Sequence, residues 1–140
     1  ITIDYKPPLR FPDLYLDEGK IRQVIMNFID NAIYYSPEAS RIKVSLRIED
    51  GDAVIRVVDS GIGVPVDAQK KLFTKFFRAD NAKKQRPDGT GIGLYLAKKV
   101  IDGHSGQLVF ESKEGKGSTF GFRLPIKRLS TPPPPQKIEE

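Results

Sequence analysis

The chain has 140 residues, of which 39% are hydrophobic, and a net charge of +5, which suits one domain with a single core. The absence of cysteine excludes disulfide bonds and thiol catalysis and fits a cytoplasmic location, and one histidine argues against a zinc site. No apolar run reaches the ~20 residues of a membrane span, and no Lys/Arg run predicts a nucleic-acid interface. Because the sequence starts at Ile1 rather than methionine, we expect an excised domain, with other segments upstream.

The N-terminal part of the chain predicts strands followed by one long helix. Residues 1–5 alternate as a strand, and residues 14–16 could form a second, short strand. Asp17 is placed to cap a helix, and from Ile21 to Ile33 apolar residues recur at i, i+3, i+4 and i+7. We therefore predict an amphipathic helix that packs one face on the core.

A hairpin is predicted after this helix. Residues 41–48 alternate in hydrophobicity, and the pair Asp50-Gly51 is typical of a tight turn. The return strand, residues 54–58, has apolar side chains in both directions, which predicts a central strand buried on both faces. Residues 67–72 then predict a short helix.

The C-terminal part predicts a loop, a helix and a second hairpin. Residues 73–90 are basic and lack a period, which indicates a mobile loop. Residues 91–101 return to helical spacing, and Gly103 is placed to end that helix. Residues 107–111 and 119–124 then predict two antiparallel strands.

These elements predict an α+β fold, namely a two-layer sandwich with a mixed, mostly antiparallel sheet covered on one face by about three helices. We expect residues 1–126 to form the domain and residues 127–140 to form a Pro-rich, disordered tail.

Two asparagines lie one helical turn apart beside the apolar stripe of the long helix. Asn27 and Asn31 bring two carboxamide oxygens to one edge, and such hard, neutral ligands suit Mg²⁺ that shares phosphate oxygens. Asparagine is unfavourable inside helices, which indicates a purpose. The alternative is a pair of partly exposed polar residues at the edge of the stripe.

An acidic residue ends the predicted central strand. Asp59 precedes Gly61 and Gly63, and a carboxylate at the end of a buried strand needs hydrogen-bond donors. The exocyclic amino group of adenine is such a donor, whereas guanine presents a carbonyl, and the glycines allow close approach of a base. The alternative is an ordinary turn at the end of a strand.

A glycine run opens the last predicted helix. Free N–H groups and the positive end of the helix dipole make such a start a phosphate site. The run is not a dinucleotide fingerprint, because Leu96 stands where a third glycine or alanine is required, and the chain contains no P-loop. The alternative is a flexible hinge. The run comprises Gly89, Thr90, Gly91, Ile92, Gly93 and Leu94.

Together these motifs resemble the catalytic, ATP-binding domain of sensor histidine kinases, which has the Bergerat-type ATPase fold. Residues 27–36 are similar to the N box, residues 59–65 to the first glycine box, and residues 73–78 to the F box. Residues 89–94 resemble the second glycine box, and residues 115–120 the last glycine block. The resemblance extends from Ile1 to Pro125.

The resemblance implies Mg-ATP as the ligand and assigns the site residues. Asn31 would bind Mg²⁺ with support from Asn27, Asp59 would bind adenine, and Tyr35 would stack on its ring. Arg78 and the amides of residues 91–94 would hold phosphates, and Asn27 and Arg78 would serve catalysis. Residues 76–93 would form the ATP lid, ordered by nucleotide.

Two positions depart from the family pattern. Tyr34 stands where the N box carries Lys or Arg, so that one phosphate contact would be missing unless nearby lysines compensate. His104-Ser105-Gly106 replaces the usual His-Gly-Gly, which makes His104 part of a structural turn rather than the phosphorylated histidine.

The partners that the resemblance implies lie outside this chain. The acceptor histidine of the family belongs to a separate dimerisation domain, and a response regulator acts downstream. We expect a monomeric, cytoplasmic fragment without direct membrane or nucleic-acid contact, although the full protein could be anchored in a membrane. The alternatives are an anti-sigma-type serine kinase or regulatory ATP-binding module, and a basic module for nucleic acid.

Overall fold

The computed structural model describes residues 1–134, and within that range five strands form one mixed sheet in the order β1-β2-β3-β5-β4. Strands β1 and β2 are parallel, and the other pairs are antiparallel. The strands are β1 (Thr2–Tyr5), β2 (Arg41–Glu49), β3 (Asp52–Asp59), β4 (Gln107–Lys113) and β5 (Gly117–Pro125). The helices are α1 (Glu18–Tyr35), α2 (Val66–Gln69), α3 (Asp80–Gln85), α4 (Gly93–Gly103) and α5 (Ile126–Leu129).

Helix α1 forms where the apolar spacing predicts it. The Asp17 carboxylate accepts a hydrogen bond from the Lys20 amide at 3.0 Å, which satisfies one of the free N–H groups of the first turn. The buried residues of α1 follow one stripe, Ile21, Val24, Phe28 and Ala32. Polar side chains, among them the partly buried Asn27 and Asn31, lie beside that stripe.

The predicted hairpin and its turn are confirmed. Asp50 and Gly51 have φ values of 50° and 79°, the left-handed pair that a two-residue turn requires. The strand β3 is central, as predicted, but the prediction that both of its faces are buried was only partly right. Val54 on the outer face is fully buried, whereas Val58 is 38% exposed, because helices cover only the other face.

An aromatic cluster joins α1 to the covered face of the sheet. The rings of Phe28 and Phe120 have centroids 5.7 Å apart, and Phe110 lies 5.0 Å from Phe120. Phe73 packs edge-on against Phe110 at 5.8 Å, which fixes the end of the segment after α2. The α+β fold class, a mixed sheet with helices on one face, is confirmed.

Two terminal predictions differ from the structure. Residues 14–16 form no strand; instead the Tyr15 amide donates to the Leu129 carbonyl at 2.7 Å, so this segment pairs with the end of α5 rather than with a sheet edge. Helix α5 crosses the predicted boundary at residue 126, and Leu129 packs on the core. The division between domain and tail stays a prediction, and residues 135–140 of the predicted disordered tail lie outside the described residues.

The predicted loop at residues 73–90 contains a helix. Six residues form α3, which is too short to display a hydrophobic period. Its N-cap residue Ala79 is buried and ties it to the domain. No helix within residues 1–134 is long and apolar enough to cross a bilayer.

Candidate functional site

A cavity of about 280 Å³ opens between α1, the end of β3, the segment around α3 and the start of α4. It collects ten of the twelve site residues that the sequence predicts: Asn27, Asn31, Tyr35, Asp59, Gly63, Arg78, Thr90, Gly91, Gly93 and Leu94. Gly61 and Ile92 do not line it. The three sequence blocks therefore meet in one place, although the role of each residue stays a prediction.

Asp59 and Asp88 are the two acidic residues that line this cavity, and Asp59 is the half-buried one. Its Oδ1 atom accepts hydrogen bonds from the backbone amides of Gly61, at 2.8 Å, and Ser118, at 3.2 Å. Burial raises the pKa of Asp59 above its ordinary value, and these two hydrogen bonds oppose the rise. Since both donors use one oxygen, the carboxylate has capacity left for a ligand donor.

Close backbone approach explains two of the glycines. A Cβ atom on Gly63 would lie 2.1 Å from the Lys113 carbonyl oxygen, and the residue has φ +68°, so only glycine fits there. A Cβ atom on Gly61 would lie 2.5 Å from the Tyr35 carbonyl oxygen. Gly61 therefore shapes the wall behind the cavity, between α1 and β3, without lining it.

The two asparagines lie on the cavity side of α1, as predicted. A Cβ atom on Gly93 would lie 2.6 Å from Asn27 Nδ2, so the missing side chain lets α4 begin directly beside this carboxamide. No cluster of three or more His, Cys, Asp or Glu residues is found in the described part of the chain. A cation at this end of the cavity would therefore need the carboxamides together with oxygens of a ligand.

Arg78 lies at the mouth of the cavity and holds the segment that covers it. Its guanidinium donates to the carbonyls of Ala82, at 3.1 Å, and Gly89, at 3.3 Å, and to the Tyr35 hydroxyl at 3.3 Å. These neutral acceptors leave its charge uncompensated, so an anionic ligand would be a stronger partner.

The lid segment, residues 76–93, is tied at its neck and at α3. Phe76, with φ 67°, donates its amide to the Gly91 carbonyl at 2.9 Å, and Gly91 has φ +72°. Asn81 Nδ2 donates to the Gly63 carbonyl at 2.9 Å. The first hydrogen bond closes the neck within the lid segment, and the second ties α3 to the rest of the domain.

The cavity is also lined by residues that the sequence prediction did not assign to the site, and those with polar or charged side chains are Asn81, Arg86, Asp88 and Ser118. Ser118 stands directly opposite Asp59 in the register of β3 and β5, so alignment of the two predicted hairpins would have revealed it. Asn81 and Arg86 lie on and just after α3, and no sequence pattern indicates which way that helix faces.

His104 lies in a structural turn, away from the cavity. Its Nε2 atom accepts from the Asp17 amide at 3.0 Å, and Nδ1 lies 2.8 Å from the Val100 carbonyl oxygen, to which it donates as the neutral tautomer. Both ring nitrogens are thus engaged between α4 and α1. Ser105, next in the chain, has φ 59°, which is costly for a residue with a Cβ atom.

The fold and cavity define a nucleotide-binding domain, and comparison with known families agrees. Residues 16–128 match the model described as "Histidine kinase-, DNA gyrase B-, and HSP90-like ATPase", and the chain belongs to this family. Its named relatives are sensor histidine kinases, which confirms the predicted resemblance to their catalytic domain.

Two relatives illustrate the similarity in sequence. The chain is 41% identical over 119 residues to sensor histidine kinase WalK of Bacillus subtilis (strain 168), covering 82% of this chain and 20% of WalK. It is 39% identical over 123 residues to adaptive-response sensory kinase SasA of Synechococcus sp. (strain JA-3-3Ab), covering 87% of this chain and 32% of SasA. The chain thus spans between a fifth and a third of these relatives.

Two solved structures share the fold. The mycobacterial sensor histidine kinase MprB superposes with a TM-score of 0.70 at 30% identity, covering 78% of this chain and 74% of that chain. Full-length ShkA, solved in complex with AMPPNP, superposes with a TM-score of 0.69 at 29% identity, covering 82% of this chain and 23% of that chain.

Proposed function

We propose that this domain binds Mg-ATP in the cavity and transfers the γ-phosphoryl group to a histidine on a dimerisation domain outside this chain. The observation that carries the proposal is the convergence of Asn31, Asp59 and Gly91 on one cavity in a member of this ATPase family. Transfer of a phosphoryl group demands mainly positioning and charge neutralisation, and the residues of the cavity are of the types that supply both.

The adenine end of the cavity would lie at Asp59. The carboxylate would accept a hydrogen bond from the exocyclic amino group, and Tyr35 would stack on the ring. Gly63 lines this end of the cavity with backbone atoms alone, which supports a flat ligand close to the backbone. Guanine would place a carbonyl oxygen against the carboxylate, so we expect discrimination of about 10⁴-fold in favour of adenine.

The phosphate end would lie between α1 and the start of α4. Asn31 and Asn27 offer the oxygen ligands that Mg²⁺ prefers, and within residues 1–134 the guanidinium of Arg78 donates to neutral acceptors alone. Helix α4 is eleven residues long and begins at Gly93 beside Asn27, so its first amides face the same region. When bound, Mg²⁺ would neutralise charge on the transferring phosphate.

The acceptor is external for two reasons. His104, the single histidine of the chain, has both ring nitrogens engaged between α1 and α4. Asn27 carries a carboxamide, which cannot accept a proton from water at neutral pH. We therefore expect slow hydrolysis of ATP and preferential transfer to an imidazole presented by the dimerisation domain.

The relatives' names support a setting for the domain in signalling. We propose that it acts in two-component signalling on the cytoplasmic side, that a response regulator takes the phosphoryl group from the histidine, and that the fragment alone is a monomer. The serine-kinase or regulatory alternative would require a protein partner bearing the acceptor serine, and the named relatives favour a histidine acceptor.

Calorimetric titration of the chain with ATP, with and without Mg²⁺, tests this proposal. We expect saturable binding that weakens without the metal, and Asn31→Asp should weaken Mg-ATP binding by at least about 100-fold, since it alters a metal ligand and adds negative charge near the phosphates. Asp30→Asn, an exposed change on the same helix, serves as the control. Binding that ignores both Mg²⁺ and the Asn31 change would refute the proposed metal site.

A further inference from the structure

The position that departs from the N box has a cation beside it. Tyr34 replaces the basic residue expected there, and the Arg86 guanidinium lies over its ring, with Cζ 4.5 Å from the ring centroid. Arg86 also lines the cavity. The positive charge absent from α1 is therefore present at nearly the same place, delivered from the lid segment.

The helical geometry places this charge at the phosphate end. Asn27, Asn31 and Tyr34 follow the i, i+4 and i+7 spacing of α1, so their side chains share one face. Asn31 and Tyr34 are neighbours on that face. A guanidinium stacked on Tyr34 consequently lies beside the carboxamide proposed to hold the metal and its phosphates.

Arg86 retains binding capacity. Its Nε atom is buried without a hydrogen-bond partner in the described part of the chain. Its nearest acidic group, the Asp88 carboxylate, lies 3.9 Å away and is 86% exposed, a geometry that contributes little as an ion pair. The ring of Tyr34 orients the planar guanidinium without neutralising its charge, so its remaining N–H groups can bind an anion.

We propose that Arg86 is a phosphate-binding residue that replaces, from the lid segment, the cation that the N box lacks at Tyr34. This assignment rests on the proposed binding of ATP. The Tyr34 ring acts as the platform that positions Arg86, and the guanidinium offers a planar fork to phosphate oxygens.

The place of Arg86 on the lid segment makes its charge depend on the position of the lid. A cation on α1 would stay in the cavity whatever the lid does, because α1 is part of the core. A cation at Arg86 is present only when the lid segment lies against Tyr34. Recognition of the phosphate chain is therefore coupled to closure of the lid, whereas recognition of adenine by Asp59 is not.

Binding measurements on the 140-residue chain test the assignment, with Mg-ATP and adenosine as two ligands that differ only in the phosphates. We expect Arg86→Ala to weaken ATP binding about tenfold or more and to leave adenosine binding within about twofold. Arg86→Lys should retain an intermediate ATP affinity, since it keeps the charge but loses the fork. Lys84→Ala, an exposed change of equal charge at the end of α3, should leave both affinities unchanged.

A double variant separates the phosphate role from a role in holding the lid alone. Tyr34→Lys removes the platform and restores a cation on α1, so Tyr34→Lys combined with Arg86→Ala should recover most of the ATP affinity lost in Arg86→Ala. Equal losses for ATP and adenosine in Arg86→Ala, or no recovery in the double variant, would overturn the assignment. If the parent chain binds ATP and Arg86→Ala binds it equally well, this assignment fails alone; if the parent binds neither ligand, the proposed function fails first.

Discussion

The domain has two regions, the framework, which is the sheet with α1 and α4, and the lid segment. Different forces hold these two regions in place. In the framework, Phe28 is 1% exposed and packs against Phe120. In the lid segment, Phe76 is 63% exposed, and apart from the buried Ala79 the links to the framework described above are polar contacts, made by Arg78, Asn81 and Arg86. Apolar burial fixes one arrangement, whereas polar contacts can be exchanged for contacts with a ligand. We therefore expect a rigid base with a cover whose order would change when a nucleotide binds.

Two phenylalanine truncations give the largest expected contrast. Phe28→Ala should lower the free energy of unfolding by about 3–5 kcal/mol, because it opens a cavity in the core. Phe76→Ala should lower it by less than about 1 kcal/mol, since most of that ring is in solvent. Urea denaturation of both variants measures the difference. Similar losses would show that the lid segment shares the core of the framework.

Substitution of two glycines with positive φ, Gly63 in the framework and Gly91 in the lid segment, should affect stability and ATP binding differently. Gly63→Ala should cost about 2–4 kcal/mol of stability, because its Cβ atom would collide with the Lys113 carbonyl at the edge of the sheet. Gly91→Ala would meet the backbone of Phe76, 2.7 Å away, and should instead distort the neck of the lid segment. We expect it to weaken ATP binding about tenfold or more with less effect on global unfolding. Thermal melts paired with ATP titrations distinguish the two variants, and a reversed pattern would contradict the division.

A stabilising change tests backbone strain in the framework. Ser105 adopts φ 59°, which costs a residue with a Cβ atom about 1–2 kcal/mol relative to glycine. Ser105→Gly should therefore raise stability by up to about 1 kcal/mol, after the greater entropy of glycine in the unfolded chain is subtracted. Chemical denaturation measures the gain, and ATP affinity should not change. A loss of stability would mean that the serine side chain makes a compensating contact.

The framework could be predicted from the sequence because each of its elements shows a recognisable hydrophobic spacing or turn motif. The stripe from Ile21 to Ile33, the alternation of β2 and the Asp50-Gly51 turn each encode local structure that packing then confirms. The sheet covered on one face followed from the antiparallel hairpins. The exposure of Val58 did not, because apolar residues in both directions do not reveal which face the helices leave uncovered.

The site could be predicted in outline but not in full. Asn27, Asn31 and Asp59 were found because each is an unfavourable residue type for its local position. The cation at Arg86 was not found, because its contact with Tyr34 joins residues 52 positions apart through a helix too short to show a face. Such contacts are set by tertiary structure alone, as are the turn of residues 14–16 onto α5 and the direction of α3.

The pH dependence of stability gives the smallest expected effect. Burial holds the pKa of Asp59 above its ordinary value of 3.8, so the folded chain binds this proton more tightly than the unfolded chain does. The resulting contribution to stability is full below the unfolded pKa and is lost as the pH rises through the folded pKa. Asp59→Asn removes this titration, and its stability relative to the parent should therefore rise as the pH rises from acidic to neutral. A relative fall over the same range would contradict the assigned cause of the shift.

The most direct test of the nucleotide site is the affinity of Asp59→Asn for Mg-ATP, measured by calorimetry beside a circular-dichroism check of the fold. The backbone amides of Gly61 and Ser118 both donate to Oδ1, so the asparagine oxygen should stay on that side and its NH₂ group should face the cavity. That group would oppose the amino group of adenine, donor against donor, and we expect ATP affinity to fall by at least about 100-fold with the fold intact. Unchanged affinity for ATP in a folded Asp59→Asn protein would contradict the account.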